Sequence, residues 1–157
     1  MNIRKAEEKD VEKILDLLSQ VLEIHAAIRP DYFIPGTTKY SREELISMFN
    51  EENRLIYVAV DESDSVLGYA FCEIRHQSHR DNMVQFRSIY IDDLCVDEKI
   101  RGQHIGEALF EKVSQAAKEL NCYEITLNVW EGNDNARSFY EHMGFKPRST
   151  TMEYILK

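Results

Sequence analysis

The stretch from Val96 to Leu109 constrains this chain more than any other. An apolar strand, Phe86 to Val96, runs into a short loop carrying Lys99, Arg101 and Gly102, and a helix then starts near His104 with Gly106 in its first turn. Beyond that helix, Tyr123, Ile125, Leu127 and Val129 alternate with polar residues and supply a further strand. Strand, helix, strand is a crossover, so the two strands lie locally parallel. Sheets built this way bind ligands where the loop leaves the strand. The first N–H groups of a helix are unpaired and sit at the positive end of its dipole. A glycine-bearing turn lets them approach a diphosphate closely. The segment therefore reads as an anion cradle for a phosphate-bearing cofactor; its plainer reading is a strand-to-helix turn. It has neither the Gly-Lys-Ser/Thr ending of a P-loop nor a three-glycine dinucleotide fingerprint.

The remaining elements follow from spacing. Residues 2–6 read as a short strand. Val11, Ile14, Leu15, Leu18, Val21 and Leu22 recur at helical intervals and predict an amphipathic helix over about 9–26. Pro30, Pro35 and Gly36 make 29–40 a loop. Ser41 to Glu44 reads as a capping box opening a helix to about residue 50. Leu55 to Val60 and Val66 to Ile74 form a hairpin, and His76 to Asn82 a polar loop. The crossover helix carries Ile105, Ala108, Leu109, Val113, Ala116, Ala117 and Leu120 on one face and stops at Asn121. Asn133 or Asp134 caps a short helix to Met143, Gly144 ends it in the left-handed conformation, and Thr150 to Leu156 is a final strand. The order β α α β β β α β α β predicts a single α/β domain over 1–157 with a mixed, mostly antiparallel sheet.

At 157 residues the chain can bury roughly 70% of its unfolded surface. A net charge of −9 argues against general nucleic-acid binding, and acidic surfaces suit a cationic substrate or simple solubility. No apolar run approaches membrane-spanning length. Cys72, Cys95 and Cys122 show neither zinc spacing nor a disulfide framework, so no metal is expected. Cys72 and Cys95 fall in strand-like runs and read as buried free thiols. Together with an N-terminus lacking an apolar core, they point to the cytoplasm.

A second motif lies downstream, Asn133-Asp-Asn-Ala136-Arg-Ser-Phe139-Tyr140-Glu-His-Met-Gly144-Phe145. Paired with Arg101 to Gly106 at this separation, it makes nearly the whole chain resemble the Gcn5-related N-acetyltransferase superfamily. The resemblance implies acetyl transfer from acetyl-coenzyme A to an amine, in a fold whose two central strands splay apart to admit the cosubstrate. The family's pyrophosphate loop, Arg/Gln-x-x-Gly-x-Gly/Ala, falls on Arg101, Gly102, Gln103, His104, Ile105 and Gly106. His104 stands where the family carries its middle glycine. If that position needs φ > 0, histidine costs affinity; if its angles are helical, only crowding matters.

The resemblance also places the pantetheine arm along the backbone of Leu94, Cys95 and Val96, by strand addition. Asn133 and Ala136 match cofactor contacts, and Tyr140 matches the tyrosine near the thioester sulfur. Tyr140 is expected to protonate or hydrogen-bond the departing thiolate; otherwise it is a core aromatic, and Asn133 only a cap. Asp92 and Asp93 interrupt an apolar strand where a charge is costly unless it serves a site. Asp92 is the preferred anchor or base, with Asp93 facing the other way unless a bulge intervenes. Glu73, His76 and Tyr32 are weaker candidates for substrate contact. Tyr32 and its loop form either a wall of the acceptor site or a local cluster, and Trp130 lines either cleft or core. The acceptor is expected to be a small cationic amine, polyamine- or aminoglycoside-like. Alternatives are a protein N-terminus or lysine, and a non-catalytic acyl-coenzyme A sensor. Relatives are often dimers, and the C-terminal strand could pair or exchange with a partner.

Overall fold

The computed structural model describes residues 1–77 and 80–157. In chain order the elements are β1 (Asn2–Lys5), α1 (Val11–Ile28), α2 (Arg42–Met48), β2 (Arg54–Val60), β3 (Val66–His76), β4 (Arg87–Val96), α3 (Ile105–Glu119), β5 (Glu124–Leu127) and α4 (Asp134–His142). The five strands form one sheet in the order β1-β2-β3-β4-β5, antiparallel except for the parallel pair β4 and β5. The expected mixed α/β architecture is therefore present.

Each face of the sheet has its own apolar layer. Val11, Ile14, Leu17 and Leu18 of α1 and Leu45 and Met48 of α2 pack on Ile56, Val58, Tyr69 and Phe71. Ile105, Leu109, Val113 and Ala117, four residues apart along α3, cover Ala70, Cys72, Ile89 and Ile91 on the opposite face. The alternation of Tyr69 and Phe71 with Ala70 and Cys72 is what lets β3 serve both layers. The capping box of α2 forms in both directions: Ser41 Oγ accepts from the Glu44 N–H, and the Glu44 carboxylate accepts from the Ser41 N–H. In the β2–β3 turn, Asp61 Oδ1 accepts from the N–H groups of Ser63 and Ser65.

Two expectations need correction. β3 runs on to His76, because Ile74, Arg75 and His76 keep pairing with Ile89, Ser88 and Arg87; of the loop expected over 76–82, Ser78 and His79 lie outside the described residues. Thr150 to Leu156 forms no strand. Among the described residues no backbone hydrogen bond joins residues 146–157 to the body, the last such bond running from Phe145 N–H to Tyr140 O. The alternating pattern is there, but a strand needs a neighbour's N–H and C=O groups, and this segment has none beside it.

Candidate active site

The parallel pairing of β4 with β5 stops at Ile91 opposite Leu127. Beyond it β4 continues through Asp92, Asp93, Leu94, Cys95 and Val96 against β3 alone, while the chain after Leu127 turns away. The splay expected of the central strands is present, and it leaves the edge of Leu94–Val96 away from β3 without a strand partner. The β3–β4 register shifts at the same place: Phe71 pairs with Asp93 and Cys72 with Ile91, so Asp92 is the extra residue of a bulge. Gly68 pairs with Val96, and a Cβ there would lie 2.7 Å from the Cys95 carbonyl oxygen. Only glycine fits that close backbone approach.

The bulge brings both carboxylates to the α1/α2 face. Asp92 Oδ1 lies 2.8 Å from Lys39 Nζ, and Asp92 Oδ2 accepts from the Tyr40 hydroxyl at 2.7 Å. The Tyr40 ring stacks on Phe71 at 5.9 Å between centroids, which fixes its hydroxyl over the bulge. The buried Tyr69 hydroxyl donates to Asp93 Oδ2. Burial pushes the Asp93 carboxyl up to about 6, with the Tyr69 hydrogen bond opposing and the neighbouring Asp92 charge adding to the rise. The Tyr140 phenol is likewise pushed up, first by burial and then by the charge of Asp93, so it stays protonated at neutral pH. The phenol is held by the rings of Phe139 and Phe145, at 5.2 and 5.6 Å.

The loop between β4 and α3 is tied down from α1. Asp97 is buried, bonds Lys13 Nζ and Gln20 Nε2, and accepts from the Lys99 N–H. His104 sits immediately before α3 with φ +59 and ψ +24, and Gly102 has φ +90. The left-handed position is thus real, and a histidine occupies it. Its imidazole is largely exposed and lies 3.3 Å from Glu107. At Gly106 a Cβ would come within 3.1 Å of the Phe139 ring, so its lack of a side chain lets the second motif close over the first. Asn133 caps α4, accepting from the Ala136 N–H at 3.4 Å.

The other candidates separate. Glu73 shares the Asp92 face but is engaged by Arg75 at 3.1 Å and Arg54 at 3.9 Å. Tyr32, Phe33 and Trp130 form an edge-to-face cluster at 5.3 and 5.6 Å with Arg29 over Tyr32, so Trp130 anchors the 29–40 loop beside the end of β5. Cys95 turns its thiol to the α1 side, where burial pushes it up to about 12. Lys39, Tyr69 and Asp97 were not singled out from the sequence, because their partners lie 24 to 84 residues away and leave no local pattern.

A splayed parallel pair, a bulged acidic strand end and a glycine loop at a helix start define an acetyltransferase fold. A family model described as Acetyltransferase (GNAT) family matches residues 21–145. The chain is 30% identical to the peptidyl-lysine N-acetyltransferase YjaB of Salmonella typhimurium over 146 residues, 93% of this chain and 83% of that protein. It is 26% identical to the thialysine N-epsilon-acetyltransferase of Bos taurus, over 90% of this chain and 82% of that one. A solved mutant of the BH1408 protein from Bacillus halodurans superposes with a TM-score of 0.95 at 32% identity, covering all of both chains. The chain belongs to the GNAT acetyltransferase family. It is an N-acetyltransferase that uses acetyl-coenzyme A. No helix among the described residues is long and apolar enough to cross a membrane.

Proposed function

We propose that this enzyme acetylates a primary alkylammonium group carried by a small cationic amine, and that Asp92 is its anchor. The observation that carries the reading is Lys39. An ammonium on a flexible alkyl stem already sits against Asp92, with Tyr40 hydrogen-bonded to the second carboxylate oxygen. A substrate ammonium brought to the same carboxylate would stand beside the cleft where β4 leaves β5.

In this reading the N–H groups at the start of α3, with Arg101 to Gly106, hold the pyrophosphate of acetyl-coenzyme A. The edge of Leu94–Val96 that has no strand partner, where the Val96 carbonyl accepts from Arg101 Nε at 3.4 Å, aligns the pantetheine, and Asn133 and Ala136 flank it from α4. The amine must lose a proton before its nitrogen attacks the thioester carbonyl. Asp92 takes that proton through water, while Asp93 beside it holds the Tyr69 hydroxyl. The carbon–sulfur bond then breaks, the protonated Tyr140 hydroxyl donates to the departing thiolate, and the second proton that the nitrogen loses as the amide forms restores the Tyr140 phenol. Much of the rate comes from holding amine and thioester together.

A lysine side chain of a peptide is the second reading, favoured because Lys39 is itself such a group and because one relative is named for peptidyl-lysine. We read residues 1–157 as one acetyltransferase unit acting in the cytoplasm, in keeping with the buried free thiols of Cys72 and Cys95. The test is release of coenzyme A thiol on adding polyamines, aminoglycosides, lysine peptides or N-terminal peptides. Turnover confined to free N-terminal peptides would refute the ammonium-anchor reading. Tight cofactor binding with no turnover on any acceptor would favour a sensor.

A further inference from the structure

The loop that carries Lys39 bridges β4 and β5 at the place where they part. At one end Tyr32 and Phe33 pack on Trp130, three residues past β5. At the other, Tyr40 donates to Asp92, which directly follows the last β4 residue paired with β5. The backbone is tied on both sides of Lys39. The Gly36 N–H donates to the Glu23 carboxylate of α1 at 2.8 Å, and the Thr38 hydroxyl donates to the Tyr40 carbonyl at 2.9 Å. Tyr40 stacks on Phe71, and Ser41 caps α2, so the residues that follow are fixed as well.

From this frame the Lys39 side chain reaches Asp92 while half of it stays exposed. Two other paired lysines end elsewhere: Lys9 on Asp64 in the β2–β3 turn, and Lys13 on Asp97 past the end of β4. Tyr140 belongs to the Lys39 neighbourhood. Beyond the burial that dominates both groups, the Lys39 ammonium acts on Asp93, and the Asp93 charge acts on the Tyr140 phenol. A primary amine on a flexible alkyl stem thus stands on the carboxylate assigned to the acceptor.

We propose that Lys39 is itself an acceptor, and that the enzyme acetylates its Nζ within the same chain when no other amine is present. This rests on the acetyl transfer placed above at Asp92 and Tyr140. Asp92 takes one proton from the Lys39 ammonium, and the neutral Nζ adds to the thioester carbonyl. The carbon–sulfur bond breaks, and the thiolate leaves with the Tyr140 proton. The second proton that Nζ loses as the amide forms restores the phenol. The products are free coenzyme A and a neutral acetyl-lysine at position 39. Tethering holds the nucleophile at the site and favours this step over attack by a second molecule. The modification also removes the cation that occupies Asp92 before any acceptor arrives, and leaves that carboxylate to Tyr40.

Incubation with acetyl-coenzyme A and no added amine, followed by peptide mapping by mass spectrometry, tests this. Lys39 should gain one acetyl group at a rate per chain that is constant over a ~100-fold range of protein concentration, as an intramolecular step requires. Tyr140→Phe should slow the gain by about 100-fold. Thiol release without acceptor should stop at one equivalent per chain and be absent from Lys39→Arg. With no cosubstrate present, reductive methylation of Lys39 should be slower than in Asp92→Asn, because the ion pair shields the ammonium; equal rates would remove the contact and the proposal with it. A rate that rises with protein concentration would overturn transfer within one chain. Acetyl groups spread over several lysines, indifferent to Tyr140→Phe, would mean solution chemistry and have the same force. Turnover of added polyamines with Lys39 unmodified would sink self-acetylation alone, whereas no transfer to any amine would sink it together with the Asp92 reading.

Discussion

Asp93→Asn separates what the fold tolerates from what it prefers. Burial raises the Asp93 carboxyl from an ordinary 3.8 to about 6, so the folded state holds its proton more tightly than the unfolded chain does. Well below pH 3.8 the group is protonated in both states and costs nothing. As pH rises toward 6 the unfolded chain releases its proton first, and stability falls. Above 6 the full difference of roughly two units stands, an upper estimate of ~3 kcal/mol at 1.36 kcal/mol per unit. The sign is opposite to that of a salt-bridged carboxylate. Asparagine keeps an oxygen for the Tyr69 hydroxyl and carries no charge. Urea unfolding of both proteins at pH 4.5 and 7.5 is the assay. The variant should be more stable at pH 7.5, by about 2–3 kcal/mol, with most of the gain lost at pH 4.5. Equal destabilisation at both pH values would refute the reasoning and make Asp93 an ordinary structural acceptor. A stabilised variant with reduced turnover would mean that the charge is kept for chemistry.

Tyr140→Phe should slow thiol release by about 100-fold with coenzyme A affinity unchanged, since a phenolic donor to the leaving group acts late; equal affinity and rate would remove it from catalysis. Asp92→Asn should raise KM for a cationic amine by tenfold or more, about 1.4 kcal/mol, and leave coenzyme A affinity intact, as titration calorimetry would show. His104→Gly relieves a left-handed residue worth ~1–2 kcal/mol but adds glycine's own entropy of ~0.5–1. A small rise in Tm and tighter coenzyme A binding are expected, and weaker binding would show that the imidazole contributes. Gly68→Ala forces a methyl against the Cys95 carbonyl and should cost ~1–3 kcal/mol by denaturant titration.

Much of this architecture is legible in the residues because its causes are local. The spacing of Ile105, Leu109, Val113 and Ala117 defines α3 and its buried face. Ser41 and Glu44 cap α2 as their types demand, and Gly144, at φ +105, ends α4. The bulge at Asp92 has no such signature. It exists only in the register of β4 against β3, and it decides whether Asp92 and Asp93 share a face. Lys39 is equally silent, since a loop carries no period and its partner lies more than fifty residues away. Thr150 to Leu156 shows the converse: an alternating pattern states readiness to be a strand but not which edge will accept it.

Lys39 leaves Asp92 with a counter-ion before any ligand arrives. A cationic ligand that takes this place swaps one positive charge for another, so the local charge balance stays the same. Discrimination among such ligands must then come from the rest of the molecule and from what the displaced lysine does in solvent. A neutral molecule gains nothing from the swap and would strand a lysine–aspartate pair if it tried. On the proposed reading, the acceptor site would work as an ion exchanger, and a preference for cations should persist in salt that screens simple long-range attraction.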